Sequence, residues 1–106
     1  MRVVLNMWGK DHKITFQNER YTNGNFAVQA LADEDGGWVP WCMVTVNLGN
    51  KLPENQAHLD TNGCSKEIIE WLYENGYVTD LGVSRSGFCT YPLVEFSKEF
   101  MDNLDL

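Results

Sequence analysis

Three cysteines and two histidines are the residues of this sequence best suited to metal binding or nucleophilic catalysis. Cys42, Cys64 and Cys89 are far apart and form no CxxC pair. A zinc site would need the fold to gather them with His12 or His58. His58 stands six positions before Cys64, a spacing that fits no recognised signature of a nucleophilic cysteine. The sequence therefore predicts free thiols, no metal site and no cofactor.

An acid–base pair is the second chemistry that the residue types allow. His58 and Asp60 are two positions apart, and such residues point to the same side only on a strand. Thr61, Arg85 and Tyr91 would have to converge on them, and no nucleophile or metal set completes the constellation. A small enzyme of unknown reaction therefore remains the alternative, while the expectation is a protein without catalytic residues.

Carboxylates recur at helical spacing in the second half of the chain. The net charge is −7, and residues 52–106 hold ten acids against three bases, which accounts for the whole excess. Glu67, Glu70 and Glu74 share one side of a predicted helix. A second set, Glu95, Glu99 and Asp102, shares a face if residues 95–104 are helical. Two such stripes predict an acidic surface, although a solvated outer face has the same pattern.

This charge restricts the partners. Nucleic acid and anionic membranes both require a basic surface, so direct binding to either is not expected. A protein partner is expected instead, and Trp38 and Trp41 add large aromatic side chains that serve either as core or as contacts. The predicted partner-binding residues are Glu67, Glu70, Glu74, Glu95, Glu99, Asp102, Trp38 and Trp41.

The elements that must position these residues are mostly strands in the first half. An apolar opening at Val3 to Leu5 and an alternating segment at 12–21 predict two strands. Residues 26–32 predict another, which the DEDGG loop at 33–37 joins antiparallel to a long run at 38–48. Pro40 donates no ladder hydrogen bond, so it is expected at an edge or a bulge.

One convincing helix is predicted at about 66–75, capped by Ser65 and ended by Asn75 and Gly76. A flexible segment around Arg85, from Gly82 to Gly87, is expected before a strand at 88–92. A short C-terminal helix would follow. The fold class is therefore α+β, an antiparallel sheet of four to six strands packed by one main helix, in a single domain over 1–106. Neither a signal peptide nor a membrane span is recognisable, so the expected location is cytoplasmic.

Three segments in a fixed order carry a resemblance to a known family. VTVNL at 44–48, LDTN at 59–62 and SGFCTYP at 86–92 resemble the small proteins grouped as domain of unknown function 4313, and the similarity runs from about residue 13 to 97. The resemblance implies a protein of bacterial genomes and their mobile elements. It implies no activity and no catalytic residues.

Size, charge and this context together favour an inhibitory or regulatory binding protein of a mobile element or phage. One form of it is an anti-CRISPR type inhibitor whose acidic stripes occupy a basic nucleic-acid channel on a bacterial effector. A structural or dimerising role through Trp38 and Trp41 is the remaining alternative, and the oligomeric state is left open.

Overall fold

The computed structural model describes residues 1–104, so the last two residues of the predicted domain lie outside the described part. The fold class is α+β, as predicted. The described residues form eight strands, which divide into two four-stranded antiparallel sheets, and two helices. The strands are β1 (Arg2–Met7), β2 (Lys10–Arg20), β3 (Phe26–Glu34), β4 (Gly37–Met43), β5 (Thr45–Val46), β6 (Gln56–Leu59), β7 (Val78–Ser86) and β8 (Cys89–Phe96), and the helices are α1 (Lys66–Glu74) and α2 (Lys98–Asp102).

Sheet 1 has the order β1-β2-β3-β4 and is built from consecutive hairpins. Alternation on β2 places Ile14 and Phe16 in the core, as predicted. The β3–β4 turn uses Asp35 and Gly36 at positive φ, which such tight hairpin turns require. β4 is an edge strand, and its pairing with β3 shifts register where Leu31 faces Pro40. The prediction that this proline lies at an edge or a bulge is therefore confirmed.

Sheet 2 has the order β5-β6-β8-β7 and ends in a long hairpin. The prediction of a flexible segment from Gly82 to Gly87 is wrong, because β7 continues to Ser86 and only Gly87 and Phe88 form the turn. Arg85 faces Thr90 across the ladder. The glycine and serine content predicted flexibility, but hydrogen bonding to β8 keeps these residues in a strand.

The chain passes from one sheet to the other between β4 and β5. Val44 donates its N–H to the carbonyl of Val28 on β3 at 2.9 Å, and its own carbonyl accepts from the N–H of Asp60 at 2.8 Å. Thr45 is 1% exposed, and its hydroxyl accepts from the N–H of Val28 at 3.1 Å. These bonds join the two sheets at a buried position.

The helices agree with the sequence in position but not in every detail. α1 begins one residue after Ser65, yet the hydroxyl of Ser65 makes no capping bond. It accepts instead from the indole N–H of Trp41 at 2.9 Å. α2 begins only after Ser97, whose hydroxyl accepts from the N–H of Phe100 at 3.1 Å. The expected helix over 95–104 is therefore too long, because the β8 ladder extends to Phe96.

A chain of aromatic side chains connects both sheets and both helices. Phe26 packs edge-on against Phe96, which stacks on Phe100. Phe100 meets the edge of Phe16, and Phe16 stacks on Trp71 of α1 with the ring centroids 5.5 Å apart. Both sheets therefore bury their inner faces in one cluster of apolar side chains. Among residues 1–104, no helix is long and apolar enough to cross a membrane.

The aromatic core predicts a sharp contrast between two phenylalanines. Phe16 is 0% exposed and Phe88 is fully exposed. We expect Phe16→Ala to lower the free energy of unfolding by about 3–5 kcal/mol, since it removes buried area and leaves a cavity. Phe88→Ala should change it by less than about 0.5 kcal/mol. Urea denaturation followed by tryptophan fluorescence measures both, and equal effects would contradict this core.

Candidate protein-binding surface

The outer side of α1 carries the first predicted stripe of carboxylates. Ile68, Ile69 and Leu72 are its buried residues. At about 100° per residue, Glu67, Glu70 and Glu74 fall within roughly 60° of one another, on the side opposite that buried stripe. Glu70 and Glu74 are exposed and Glu67 is partly exposed. The structure therefore places the three carboxylates together, facing away from the core.

Few contacts within α1 neutralise these carboxylates. Lys66 lies 3.5 Å from Glu70, and both side chains are largely exposed, so this pair is weak. Glu67 lies in the first turn, where the helix dipole favours a negative charge, but Glu74 lies in the last turn, which holds no basic residue. A carboxylate at that end is unfavourable. The stripe thus remains negatively charged and is not explained by helix stability alone.

The second predicted stripe, in the tail, is divided between two elements. Glu95 lies on β8 between Gln56 and Thr79, whereas Glu99 lies in the first turn of α2. Asp102 accepts a hydrogen bond from Lys98 at 2.8 Å. The expectation that Glu95, Glu99 and Asp102 share one helical face is wrong, because the strand ladder includes the first of them.

Trp41 lies in an aromatic cluster beside the N-terminus of α1. Its ring centroid lies 5.3 Å from that of Trp8 and 4.9 Å from that of His12. The His12 ring nitrogen Nε2 lies 3.2 Å from the carbonyl oxygen of Met7. The bond from Trp41 to Ser65 holds this cluster against the start of α1. Trp41 is partly buried, while Trp8 is 85% exposed.

Trp8 is an exposed aromatic residue that the sequence analysis did not predict. It occupies the two-residue turn between β1 and β2 with φ +56°, followed by Gly9 with φ +75°. Positive φ is uncommon for a tryptophan, and such turns favour Asn-Gly. The signal was present in the sequence, since Trp8-Gly9 separates an apolar run from an alternating segment. Recognition of that hairpin would have predicted an exposed ring at its turn.

Trp38 lies elsewhere, on the outer face of sheet 1. It pairs with Asp33, and the guanidinium of Arg2 stacks over its ring at 5.4 Å. An open pocket of about 290 Å³ is lined there by Arg2, Val3, Val4, Lys13, Asp33 and Trp38. Arg2 and Lys13 carry positive charge, so this pocket is not a continuation of the carboxylate stripe on α1. The structure therefore separates Trp38 from Trp41.

Trp41 contacts Ser65, which directly precedes α1, whereas the three carboxylates lie on the outer side of that helix. We term these two groups together the acidic–aromatic surface. Its members are Trp8, His12, Trp41, Glu67, Glu70 and Glu74. Such a surface combines an exposed aromatic anchor with carboxylates, which suits a protein partner that carries basic side chains.

The residues of the enzyme alternative have separate contacts. His58 is 2% exposed, and its Nε2 lies 2.8 Å from the hydroxyl of Ser84. Asp60 accepts from the N–H of Gly63 at 2.8 Å in its own turn. Arg85 follows Ser84 on β7 and points to the opposite side of the sheet. His58, Asp60 and Arg85 therefore have different neighbours.

Two of the three free cysteines are neighbours. The sulfur atoms of Cys42 and Cys64 lie 3.0 Å apart. Cys89 lies on β8 at the hairpin, opposite Ser86. Within residues 1–104, no group of three or more histidine, cysteine or acidic side chains is placed to hold a metal ion.

The two antiparallel sheets and two short helices form a small α+β fold whose outer surface carries acidic and aromatic side chains. The chain belongs to the family described as a domain of unknown function (DUF4313), whose model matches residues 15–105. That range contains Trp41 and α1 and begins after Trp8 and His12. No curated protein and no solved structure matches the chain.

Burial of His58 predicts a specific pH dependence of stability. Burial lowers the pKa of His58 below its ordinary value of 6.5, so protons bind the unfolded chain more readily. The contribution of buried, neutral His58 to the free energy of unfolding is complete above about pH 6.5, and it is lost as the pH falls through the pKa of His58 in the folded protein. We expect the urea midpoint to fall more steeply between about pH 7 and pH 5 for the wild type than for His58→Gln. Parallel curves for the two proteins would contradict this role.

Proposed function

We propose that this chain is a small, acidic, non-enzymatic binding protein of a bacterial mobile element or phage. It acts in the cytoplasm on a basic protein, as an anti-CRISPR type inhibitor that occupies the nucleic-acid channel of an effector. The observation that carries this proposal is the position of Glu67, Glu70 and Glu74, grouped on the outer side of α1 opposite its buried stripe.

The mechanism is competition for positive charge. Lysines and arginines that line a nucleic-acid channel normally contact phosphates, and carboxylates one helical turn apart offer them an alternative anion. The net charge of −7 steers the protein toward such a channel and accelerates encounter. Association should therefore be fast, and it should weaken as salt is added.

The unfavourable placement of charge on α1 supports a functional role for its carboxylates. Glu70 and Glu74 are one helical turn apart, and like charges at that spacing destabilise a helix by a few tenths of a kcal/mol. Glu74 also opposes the helix dipole, with no basic residue in the last turn of α1. A solvated surface under no other constraint has no need of a carboxylate there.

Trp8 offers an exposed aromatic ring in addition to these carboxylates. Its ring is 85% exposed on a turn that holds it at positive φ, and rigid exposed tryptophans are frequent energetic centres of protein interfaces. The dimerising alternative through Trp38 and Trp41 gains less support, because those two residues belong to different surfaces. The enzyme alternative remains a prediction without a completed site.

Affinity capture from lysates of bacterial hosts tests the proposal. Immobilised wild-type protein should retain a nucleic-acid-binding protein, and duplex DNA should displace that protein, because both ligands occupy one basic channel. Glu67→Gln, Glu70→Gln and Glu74→Gln combined should weaken the complex by about tenfold or more, since three contacts of roughly 0.5 kcal/mol each amount to that factor.

The tail provides a matched control for the loss of charge. Glu95→Gln, Glu99→Gln and Asp102→Asn combined remove the same charge from positions that are not grouped, so this variant should bind more tightly than the α1 triple variant. Trp8→Asn removes the ring and suits the turn, and it should weaken binding without unfolding the protein. Equal losses of binding for both triple variants would show that the effect depends only on net charge. Unchanged capture by the α1 triple variant would refute the proposal.

A second prediction separates function from stability at the two ends of α1. Glu74→Gln should raise the free energy of unfolding by about 0.3–1 kcal/mol, because it removes a carboxylate from the negative end of the helix dipole. Glu67→Gln should lower it by a similar amount. Both should weaken partner binding. Urea denaturation and binding titrations measure the two effects, and a destabilised Glu74→Gln protein would show that this carboxylate has a structural role.

A further inference from the structure

Cys42 and Cys64 are brought together by the contacts that join the two sheets. Cys42 lies near the end of β4, two residues before Val44, which bonds to Asp60. The turn that follows is closed by the N–H of Cys64, which donates to the carbonyl of Asp60 at 2.9 Å. The two sulfur atoms are therefore 3.0 Å apart although 22 positions separate the residues.

We propose that Cys42 and Cys64 form a reversible intramolecular disulfide, a thiol–disulfide exchange site in which Cys42 is the attacking thiolate and Cys64 the resolving thiol. The two sulfur atoms of a disulfide lie roughly 2.05 Å apart, which is about 1 Å closer than in the reduced pair. Partial exposure of Cys42 gives a small disulfide access, while Cys64 is 7% exposed. This inference is independent of the proposed binding function.

The surroundings of the pair distinguish the two sulfurs. The thiol of Cys64 and the backbone N–H of Ser65 donate to Cys42 and together lower its pKa to about 7, although burial opposes them. The hydrogen bond to Cys42 and burial raise the pKa of Cys64. Hydrogen bonds donated to a thiolate stabilise its charged form and so lower the pKa of that cysteine. Cys42 is thus the better nucleophile, and Cys64 keeps its proton until Cys42 has reacted.

The exchange proceeds in two displacements with a low-molecular-weight disulfide such as oxidised glutathione. The Cys42 thiolate attacks one sulfur of that disulfide, forms a mixed disulfide and releases one glutathione thiolate. Cys64 then transfers its proton to solvent, attacks the Cys42 sulfur and expels the second glutathione. The protein loses two electrons to the small disulfide, and two molecules of reduced glutathione form.

Incubation of the full chain with oxidised and reduced glutathione at set ratios tests the proposal. After acid quenching and alkylation, trypsin places the three cysteines in separate fragments, 21–51, 52–66 and 86–98, which mass spectrometry distinguishes. We expect a bond between fragments 21–51 and 52–66, with Cys89 outside it, and reversal as reduced glutathione increases.

Three serine variants assign the roles. Cys89→Ser should form the same bond as the wild type. Cys64→Ser should accumulate a mixed disulfide of glutathione on Cys42, because nothing resolves it. Cys42→Ser should lose the bond and react slowly at the buried Cys64. Persistence of glutathione on Cys42 in the wild type, or a bond that includes Cys89, would overturn the proposal.

Alkylation rates provide a second measurement that does not depend on oxidation. The rate at which iodoacetamide modifies Cys42 in the reduced protein should reach half its maximum near pH 7. In Cys64→Ala this midpoint should rise toward that of an ordinary thiol, because the donor to the Cys42 sulfur is gone. Circular dichroism establishes that each variant is folded. An unchanged midpoint in folded Cys64→Ala would contradict the assigned roles.

Discussion

The passage of the chain from sheet 1 to sheet 2 at Val44 and Thr45 is the constraint on which the rest of the structure depends. Val44 bonds to Val28 on one side and to Asp60 on the other, so one residue joins β3 of sheet 1 to the residue that follows β6 of sheet 2. Thr45 adds a hydroxyl that accepts from Val28. Both residues are buried, and a buried backbone group without a partner is costly. The relative position of the sheets is thus fixed by bonds that water cannot easily replace.

The same crossing determines what lies beside the start of α1. Because Asp60 is held against Val44, the turn from Asp60 to Cys64 ends next to β4, which places Cys64 against Cys42 and Ser65 against Trp41. The exchange site and the aromatic part of the acidic–aromatic surface therefore have one structural origin. A disulfide between Cys42 and Cys64 would add a covalent link where hydrogen bonds already connect these segments.

Local sequence patterns predicted the elements whose signals are local. Alternation predicted β2 and β3, the DEDGG loop predicted the hairpin of β3 with β4, and the apolar spacing of α1 placed its acidic residues outward. Features decided by distant partners were missed. Glu95 lies in a strand because β6 and β7 pair with β8 there. Ser65 does not cap α1 because its hydroxyl accepts from the indole N–H of Trp41 instead. The proximity of Cys42 and Cys64 depends on the sheet crossing, which no spacing in the sequence encodes.

Two positions depart from the residue that local stability would favour. Trp8 takes a positive φ in a turn that suits asparagine, and Glu74 carries a negative charge at the end of α1 where a base would stabilise the helix. The left-handed backbone of Trp8 costs roughly 1–2 kcal/mol, and the charge of Glu74 costs about 0.3–1 kcal/mol. Trp8 lies in the aromatic cluster with Trp41, and Glu74 lies on the outer side of α1. Since sequences generally agree with their fold at every level except where function requires otherwise, these two departures support the proposed binding role more strongly than net charge does.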